Sequence, residues 1–439
     1  MNQVPQIAER EAPRPAAAKV RKRSFGPGIL FALSAIGAGD FVSNVAVGAA
    51  YGTALLWTLL VALVCRYVWI ESCARYVLVT GETPFEGFAK ISRALVWVVL
   101  FTLIAHRHIH GLGHVVYMGS AIELLAPLPV AHSAATWSVV FAIAGFSLTF
   151  WSAYKTLELV FKVLMAFMGL MLILVVLMSP PSITGILHGL FIPSLPEAEG
   201  PYSGVLLLTA MLGTEASSLS NVTYSYFMWQ KGWRDISYSS LQRRDLLYGI
   251  GAMFMTGAFL QIASAGTIGQ AGVSPDNIED LVRIFSERLG IVGRLAFALG
   301  IWAAVFTSFV GGIRGYSLAV ADVARTFGLV KTKAFATHEE SRKDPVVRGL
   351  IIFFAFSPLY ILYTSVRPVW LMLVTSSASV VVVPIISVAL LRLTSDQRIM
   401  GEHRNHWSAN AVLAFLALIA CYFIYQNAME IQATLFGAG

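Results

Sequence analysis

The chain has 439 residues, 57% of them hydrophobic and only 13% charged, where soluble domains carry about 25% charged residues. That balance excludes an ordinary soluble enzyme, and apolar runs along most of the length point to a single polytopic membrane domain. The formal net charge of +7 would suggest a nucleic-acid partner in a soluble protein, so here it is tested first against membrane topology.

Residues 1–24 are polar, carry Pro5, Pro13 and Pro15, and end in Arg21-Lys22-Arg23. Without an apolar core they form a disordered basic cytoplasmic tail rather than a signal peptide. Eleven apolar stretches long enough to span a bilayer follow, at 27–50, 54–79, 94–125, 134–154, 158–179, 202–229, 246–270, 291–321, 346–365, 368–391 and 409–428. The expected organisation is one transmembrane domain over about 25–430. It has a first five-helix repeat at 25–180, a second at 200–392, an extra helix at 409–428 and a short external tail at 431–439. With the amino terminus inside, the inner tail and loops hold 23 Lys and Arg against four outside, Arg283, Arg288, Arg294 and Arg367. Such bias sets orientation, so eleven spans put the carboxyl terminus outside. Insertion thereby explains the charge, and no nucleic-acid partner is expected. The spacing of Ile278, Leu281, Val282, Ile284 and Phe285 in the outer loop 271–290 suggests a short amphipathic surface helix. Cys65, Cys73 and Cys421 lie in apolar runs without metal-ligand spacing, which implies neither disulfides nor zinc. No cofactor is expected.

Two spans are interrupted at mid-membrane: the first by Gly37-Ala38-Gly39-Asp40, the sixth by Gly213-Thr214-Glu215-Ala216-Ser217-Ser218. Interruptions in hydrocarbon are tolerated where they line a cavity or pack against protein. Paired interruptions at corresponding positions of two halves point to a secondary transporter whose substrate sits between broken helices. The alternative is close glycine packing and a protonated or snorkelling carboxylate, but two mid-membrane carboxylates, each beside a broken backbone, weigh against it.

At this point the residues resemble the Nramp family of divalent-metal transporters. The likeness runs through Gly26-Pro27-Gly28, Gly48-Ala49-Ala50-Tyr51-Gly52, Leu55-Leu56-Trp57, Val79-Thr80-Gly81 and Gly119-Ser120-Ala121-Ile122. It is most specific in Pro384, Leu393-Thr394-Ser395-Asp396, Ile399-Met400-Gly401-Glu402 and Asn405. It covers about 25–430 and implies an all-α, LeuT-type inverted repeat. The metal motifs depart from the family. Asp-Pro-Gly-Asn is replaced by Gly37, Ala38, Gly39 and Asp40, and Met-Pro-His by Gly213, Thr214 and Glu215. The polar residue of the tenth helix falls among Ser376, Ser377 and Val382.

The candidate metal residues are therefore Asp40 and Glu215, with Thr214, Asn44 and freed carbonyls near Gly37 and Gly213 completing a shell. Oxygen ligands without sulfur favour manganese or magnesium. His106, His110 and His114 are spaced by four and share one helical face. With Glu86, which looks like a family glutamate, they form a candidate proton pathway, against a structural stripe satisfied by its neighbours. One histidine cluster is too little for a membrane di-iron enzyme, and no enzymatic activity is expected. Arg66, Glu71 and Arg75 suggest a structural intrahelical cluster near the inner end. Arg314, flanked by Gly311, Gly312 and Gly315, is expected to face a polar cavity or to neutralise Asp40 or Glu215.

The expected function is alternating-access transport of a divalent cation in a bacterial plasma membrane, with proton symport implied by the resemblance alone. The expected partners are the cation and the lipid bilayer, and a monomer would suffice. The alternatives are a carrier of a small organic or amino-acid-like solute, or a non-transporting receptor on the same fold.

Overall fold

Nine helices among the described residues are long and apolar enough to cross a bilayer, and two bent pairs raise the number of crossings to as many as eleven. The structure is a computed structural model that describes residues 26–178, 182–194, 204–216, 218–271, 278–364, 373, 376–377 and 379–436. No strand occurs among them.

The first crossing is the pair α1 (Pro27–Ala35) and α2 (Ala38–Tyr51), bent by 63°. Next come α3 (Leu56–Thr80), the short α4 (Pro84–Ile91), α5 (Arg93–Glu123), α6 (Ser133–Trp151) and α7 (Tyr154–Met178). After α8 (Ile183–Phe191), the sixth crossing is again broken. It comprises α9 (Gly204–Met211), a π turn at Leu212–Ala216, a 3-10 turn at Leu219–Val222 and α10 (Thr223–Gln230). The chain continues as α11 (Ser239–Ala271), α12 (Ile278–Thr326), α13 (His338–Lys343), α14 (Pro345–Phe356), α15 (Val383–Ser395) and α16 (Trp407–Phe436).

Some boundaries differ from those expected. The surface helix foreseen in loop 271–290 is joined to the eighth crossing within α12, and the joint is Gly290, whose φ of 62° favours glycine. The last helix runs through Phe436, so most of the tail expected from 431 is helical. The amino-terminal tail 1–24, Arg367 with the opening of the tenth span, and residues 437–439 lie outside the described residues.

The core is built around α12, which packs along α5 and α7, and around α11, which packs along α2 and α1. Small residues let these backbones approach, since lipid tails offer helices no hydrophobic reason to associate. A Cβ on Gly48 would lie 2.4 Å from the Gln261 carbonyl oxygen of α11. Large apolar side chains face outward, including Phe101 at 76% and Leu418 at 71% exposure, as a lipid-facing surface requires.

The end of the bundle where the basic loops gather is closed by polar ties. Asp245 of α11 accepts the Gly26 and Gly28 N–H groups at 2.9 and 2.5 Å, capping the start of α1. Glu71 pairs with Arg75 at 3.1 Å, as its i,i+4 spacing suggests, and also with Arg243 at 3.1 Å. Arg75 in turn donates to Asn405 and to the His403 carbonyl, so the segment most specific to the family resemblance is bound to α3. Arg325 bridges Asp322 at 2.6 Å and Glu86 at 3.0 Å.

Arg314 departs from the expectation that it neutralises Asp40 or Glu215. It donates to Ser341 Oγ at 2.6 Å and the His338 carbonyl at 3.4 Å, fixing α13 against α12. Its position on α12 aims it toward the loop beyond the bundle rather than toward the helix breaks.

Close helix approach yields a direct test. Gly48→Ala should force α2 from α11 and destabilise the protein by about 1–3 kcal/mol, lowering the apparent melting temperature of detergent-purified material. Gly169→Ala, where no atom lies within 4 Å of the new methyl, should leave it unchanged or raise it slightly, since alanine is the better helix former. Equal melting of both variants would contradict the packing.

Candidate functional site

The break in the first crossing begins where Ile36 adopts extended backbone, φ −68° and ψ 95°, ending α1. Gly37 is also extended, at φ −123° and ψ −164°, a conformation open to any residue. Its glycine is required by contact instead. A Cβ there would lie 2.5 Å from Ser308 Oγ and 2.9 Å from His114 Nε2. Gly39 and Gly213 are restricted likewise, the first by Ser376 Oγ at 2.8 Å and the second by the Ser376 carbonyl at 2.1 Å. Ser376 is therefore the tenth-crossing residue that meets both breaks.

Asp40 occupies the first turn of α2 and its Oδ2 accepts the Gly37 N–H at 3.0 Å. A carboxylate at a helix amino terminus is favourably placed in the helix dipole and supplies an acceptor for an orphan donor. Asp40 Oδ1, buried, has no hydrogen-bond partner. The Gly37 carbonyl accepts Phe41 N–H at 3.0 Å, which leaves one lone pair of the oxygen expected to be free.

Asn44 joins the two breaks. Its Nδ2 donates to the Asp40 carbonyl at 2.8 Å and to Glu215 Oε1 at 2.6 Å, and its Oδ1 accepts Gln261 Nε2 at 2.8 Å. Ser43 Oγ and Thr214 Oγ1 meet at 3.3 Å across the same junction. Asp40, Asn44, Thr214 and Glu215 are thus brought together, with Gly37 and Gly213 in the backbone walls.

Arg66 belongs to this junction and not to the Glu71–Arg75 cluster. Its Nη1 lies 3.8 Å from Glu215 Oε2 and its Nε donates to Asn221 Oδ1 at 2.9 Å. The correction is geometric. Five residues turn a helix by about 140°, so Arg66 and Glu71 face different ways, whereas four residues keep Glu71 and Arg75 together. Met211 was also overlooked, since its Sδ lies 3.7 Å from Gln261 Nε2. The site is therefore not sulfur-free in its surroundings.

A cavity of about 30 Å³ lies beside Asp40, Gly37, Gly39 and Thr214, with His106, Arg107, His110, His114, Ser308 and Tyr316 on its far wall. That is room for one or two waters or a small ion. His106 contacts Ser379 Oγ at 2.8 Å and Tyr316 Oη at 2.9 Å. His114 contacts the His110 carbonyl at 2.5 Å and Ser308 Oγ at 2.9 Å, and the His110 ring lies 4.2 Å from that of His106. Glu86 does not line this cavity; it is tied to Arg325. Among the described residues no group of three or more His, Cys, Asp or Glu could hold a metal ion. Of the two carboxylates only Asp40 lines this cavity; Glu215 lies behind it, held by Asn44 and facing Arg66. Arg107 shares the face of His110 and His114 by its i+3 and i+7 spacing. It is buried, with its guanidinium 5.6 Å from the Phe309 ring. The formal charges of Asp40, Glu215, Arg66 and Arg107 cancel.

Residues 28–428 match the family described as Natural resistance-associated macrophage protein-like. The chain belongs to the Nramp family. Among its relatives, the divalent metal cation transporter MntH of Erwinia tasmaniensis is 26% identical over 67% of this chain and 71% of that protein. The Bacillus subtilis MntH is 22% identical over 93% and 92%. In solved structures, a mutant of the Eremococcus coleocola manganese transporter matches with a TM-score of 0.72 at 15% identity, over 94% of this chain and 88% of that one. MhsT in complex with L-phenylalanine matches with a TM-score of 0.62 at 17% identity, over 92% and 98%. These likenesses show that this Nramp protein has the LeuT-type fold expected of the resemblance.

Proposed function

We propose that this Nramp protein is a secondary transporter of divalent metal cations, manganese or magnesium, that works by alternating access. The observation carrying this reading is that Asp40 and Glu215, linked through the Asn44 amide, meet the hydroxyls of Thr214 and Ser43 between two broken helices. Carboxylate and hydroxyl oxygens suit hard divalent cations, and the MntH relatives and the manganese transporter of like fold support the same substrate class. The Lys and Arg bias of the loops supports a cytoplasmic amino terminus and an external carboxyl terminus in a bacterial plasma membrane. The whole site lies in one chain, so a monomer suffices.

Each ring of the His106, His110 and His114 stripe contacts neighbouring groups. In this reading the stripe shapes the cavity wall, and the cation's own charge in the membrane potential drives entry, without stoichiometric proton symport. A second reading, a carrier of a small organic or amino-acid-like solute, is favoured by the Arg107 guanidinium in the wall, which could face a carboxylate. The cavity of about 30 Å³ is too small for such a solute, and the metal reading stands first.

The deciding experiment is uptake into proteoliposomes loaded with a pH dye. Wild-type protein should take up manganese or magnesium with little lumen acidification, and Asp40→Asn and Glu215→Gln should each abolish uptake while remaining inserted and folded. Normal uptake in both variants would overturn the two-carboxylate site, and one proton entering per cation would overturn the uncoupled reading.

Selectivity tests the thioether. A sulfur within reach of the site favours soft cations, so Met211→Leu should lower cadmium uptake relative to manganese by about tenfold, a difference of about 1.4 kcal/mol. An unchanged ratio would show that Met211 never reaches the cation.

A further inference from the structure

Arg66 is fully buried on α3, yet its attachment is uneven. Nε is hydrogen-bonded to Asn221, but neither Nη1 nor Nη2 has a hydrogen-bond partner. Nη1 lies 3.8 Å from Glu215 Oε2, within ion-pair range but outside hydrogen-bond range. Strong arginine–carboxylate pairs are short and forked, and this one is neither. Phe31 of α1 lies 5.4 Å from the guanidinium. The guanidinium is therefore anchored through Nε while Nη1 rests against Glu215 by charge alone.

We propose that Arg66 is a tethered counter-ion that competes with the transported cation for Glu215, so that loading the site requires the guanidinium to give up that carboxylate. The inference rests on the reading of the junction as a cation site. It assigns the two carboxylates different duties. Asp40, whose Oδ1 has no partner and which lines the cavity, offers the first ligand to an arriving cation. Glu215 becomes the second ligand only as Arg66 withdraws. Asn44, which already holds Glu215 Oε1 at 2.6 Å, keeps the carboxylate in place during the exchange.

The physical basis is that a buried unit charge a few ångströms from the ion is screened far less than in water. Its removal should change affinity by about tenfold or more even at an effective dielectric constant near 20. A guanidinium serving only as packing or as a hydrogen-bond donor would, when removed, weaken binding or leave it unchanged.

The test is manganese binding to the purified full chain by titration calorimetry, in parallel with proteoliposome uptake. Arg66→Gln should bind manganese about tenfold or more tightly than wild type, and Arg66→Lys, which keeps the charge, should remain close to wild type. In Arg66→Ala, millimolar guanidinium should return the affinity toward the wild-type value while leaving wild type unaffected. Should burial of an unpaired Glu215 prevent folding of Arg66→Gln, Arg66→Gln/Glu215→Gln removes both charges. It should bind manganese at Asp40 more tightly than Glu215→Gln alone, which keeps the opposing guanidinium. Equal affinities within each of these comparisons, or weaker binding by a folded Arg66→Gln, would overturn the counter-ion role while wild-type transport stands. Absence of divalent binding and uptake in wild type and every variant would overturn the cation site itself, and this inference with it.

Discussion

A helix interrupted in hydrocarbon exposes N–H and C=O groups that no water can reach, and each must find a partner inside the protein. In this chain the partners of the first break come from its own first turn and from α12, and a side-chain bond ties it to the second. Asp40 satisfies the Gly37 N–H at the start of α2, and Ser308 donates to the Ser34 carbonyl at the end of α1 at 2.9 Å. Asn44 reaches from α2 to the Glu215 carboxylate in the sixth crossing. The same groups that make the breaks tolerable also make them a polar site, so in the proposed reading backbone satisfaction and substrate recognition draw on one set of atoms.

Charge balance is the second constraint. Two buried carboxylates without counter-charges would be costly at this depth, and Arg66, 3.8 Å from Glu215, supplies a buried counter-charge, while Arg107 adds a second positive charge in the cavity wall. In the proposed reading, the positive charge that stabilises the carboxylates therefore opposes the arriving cation. In that reading affinity depends on which charges yield when the ion arrives.

Much of the fold was legible in the sequence because hydrophobic length and charge bias are one-dimensional signals. Both breaks fell where Gly37 to Asp40 and Gly213 to Glu215 marked them, and the family resemblance extended to the fold and the helix count. What the sequence obscured was direction. Closeness in sequence groups Arg66 with Glu71, yet five residues turn them to different faces, and Arg314, central in its apolar run, reaches α13 rather than the carboxylates. Met211 sits in an ordinary apolar run, and only the fold brings its sulfur to Gln261. The one advance signal was angular spacing, which separates Arg66 from Glu71 and joins Arg107 to His114.

The claim on which everything else rests is that a divalent cation is held where the two broken helices meet. Anomalous diffraction from crystals of the full chain soaked in manganese tests it most directly. The account requires an anomalous peak between the Asp40 and Glu215 carboxylates, beside Asn44 and Thr214. A peak only at another polar recess, such as the one lined by Glu123 and His132, with none at the junction, would contradict it.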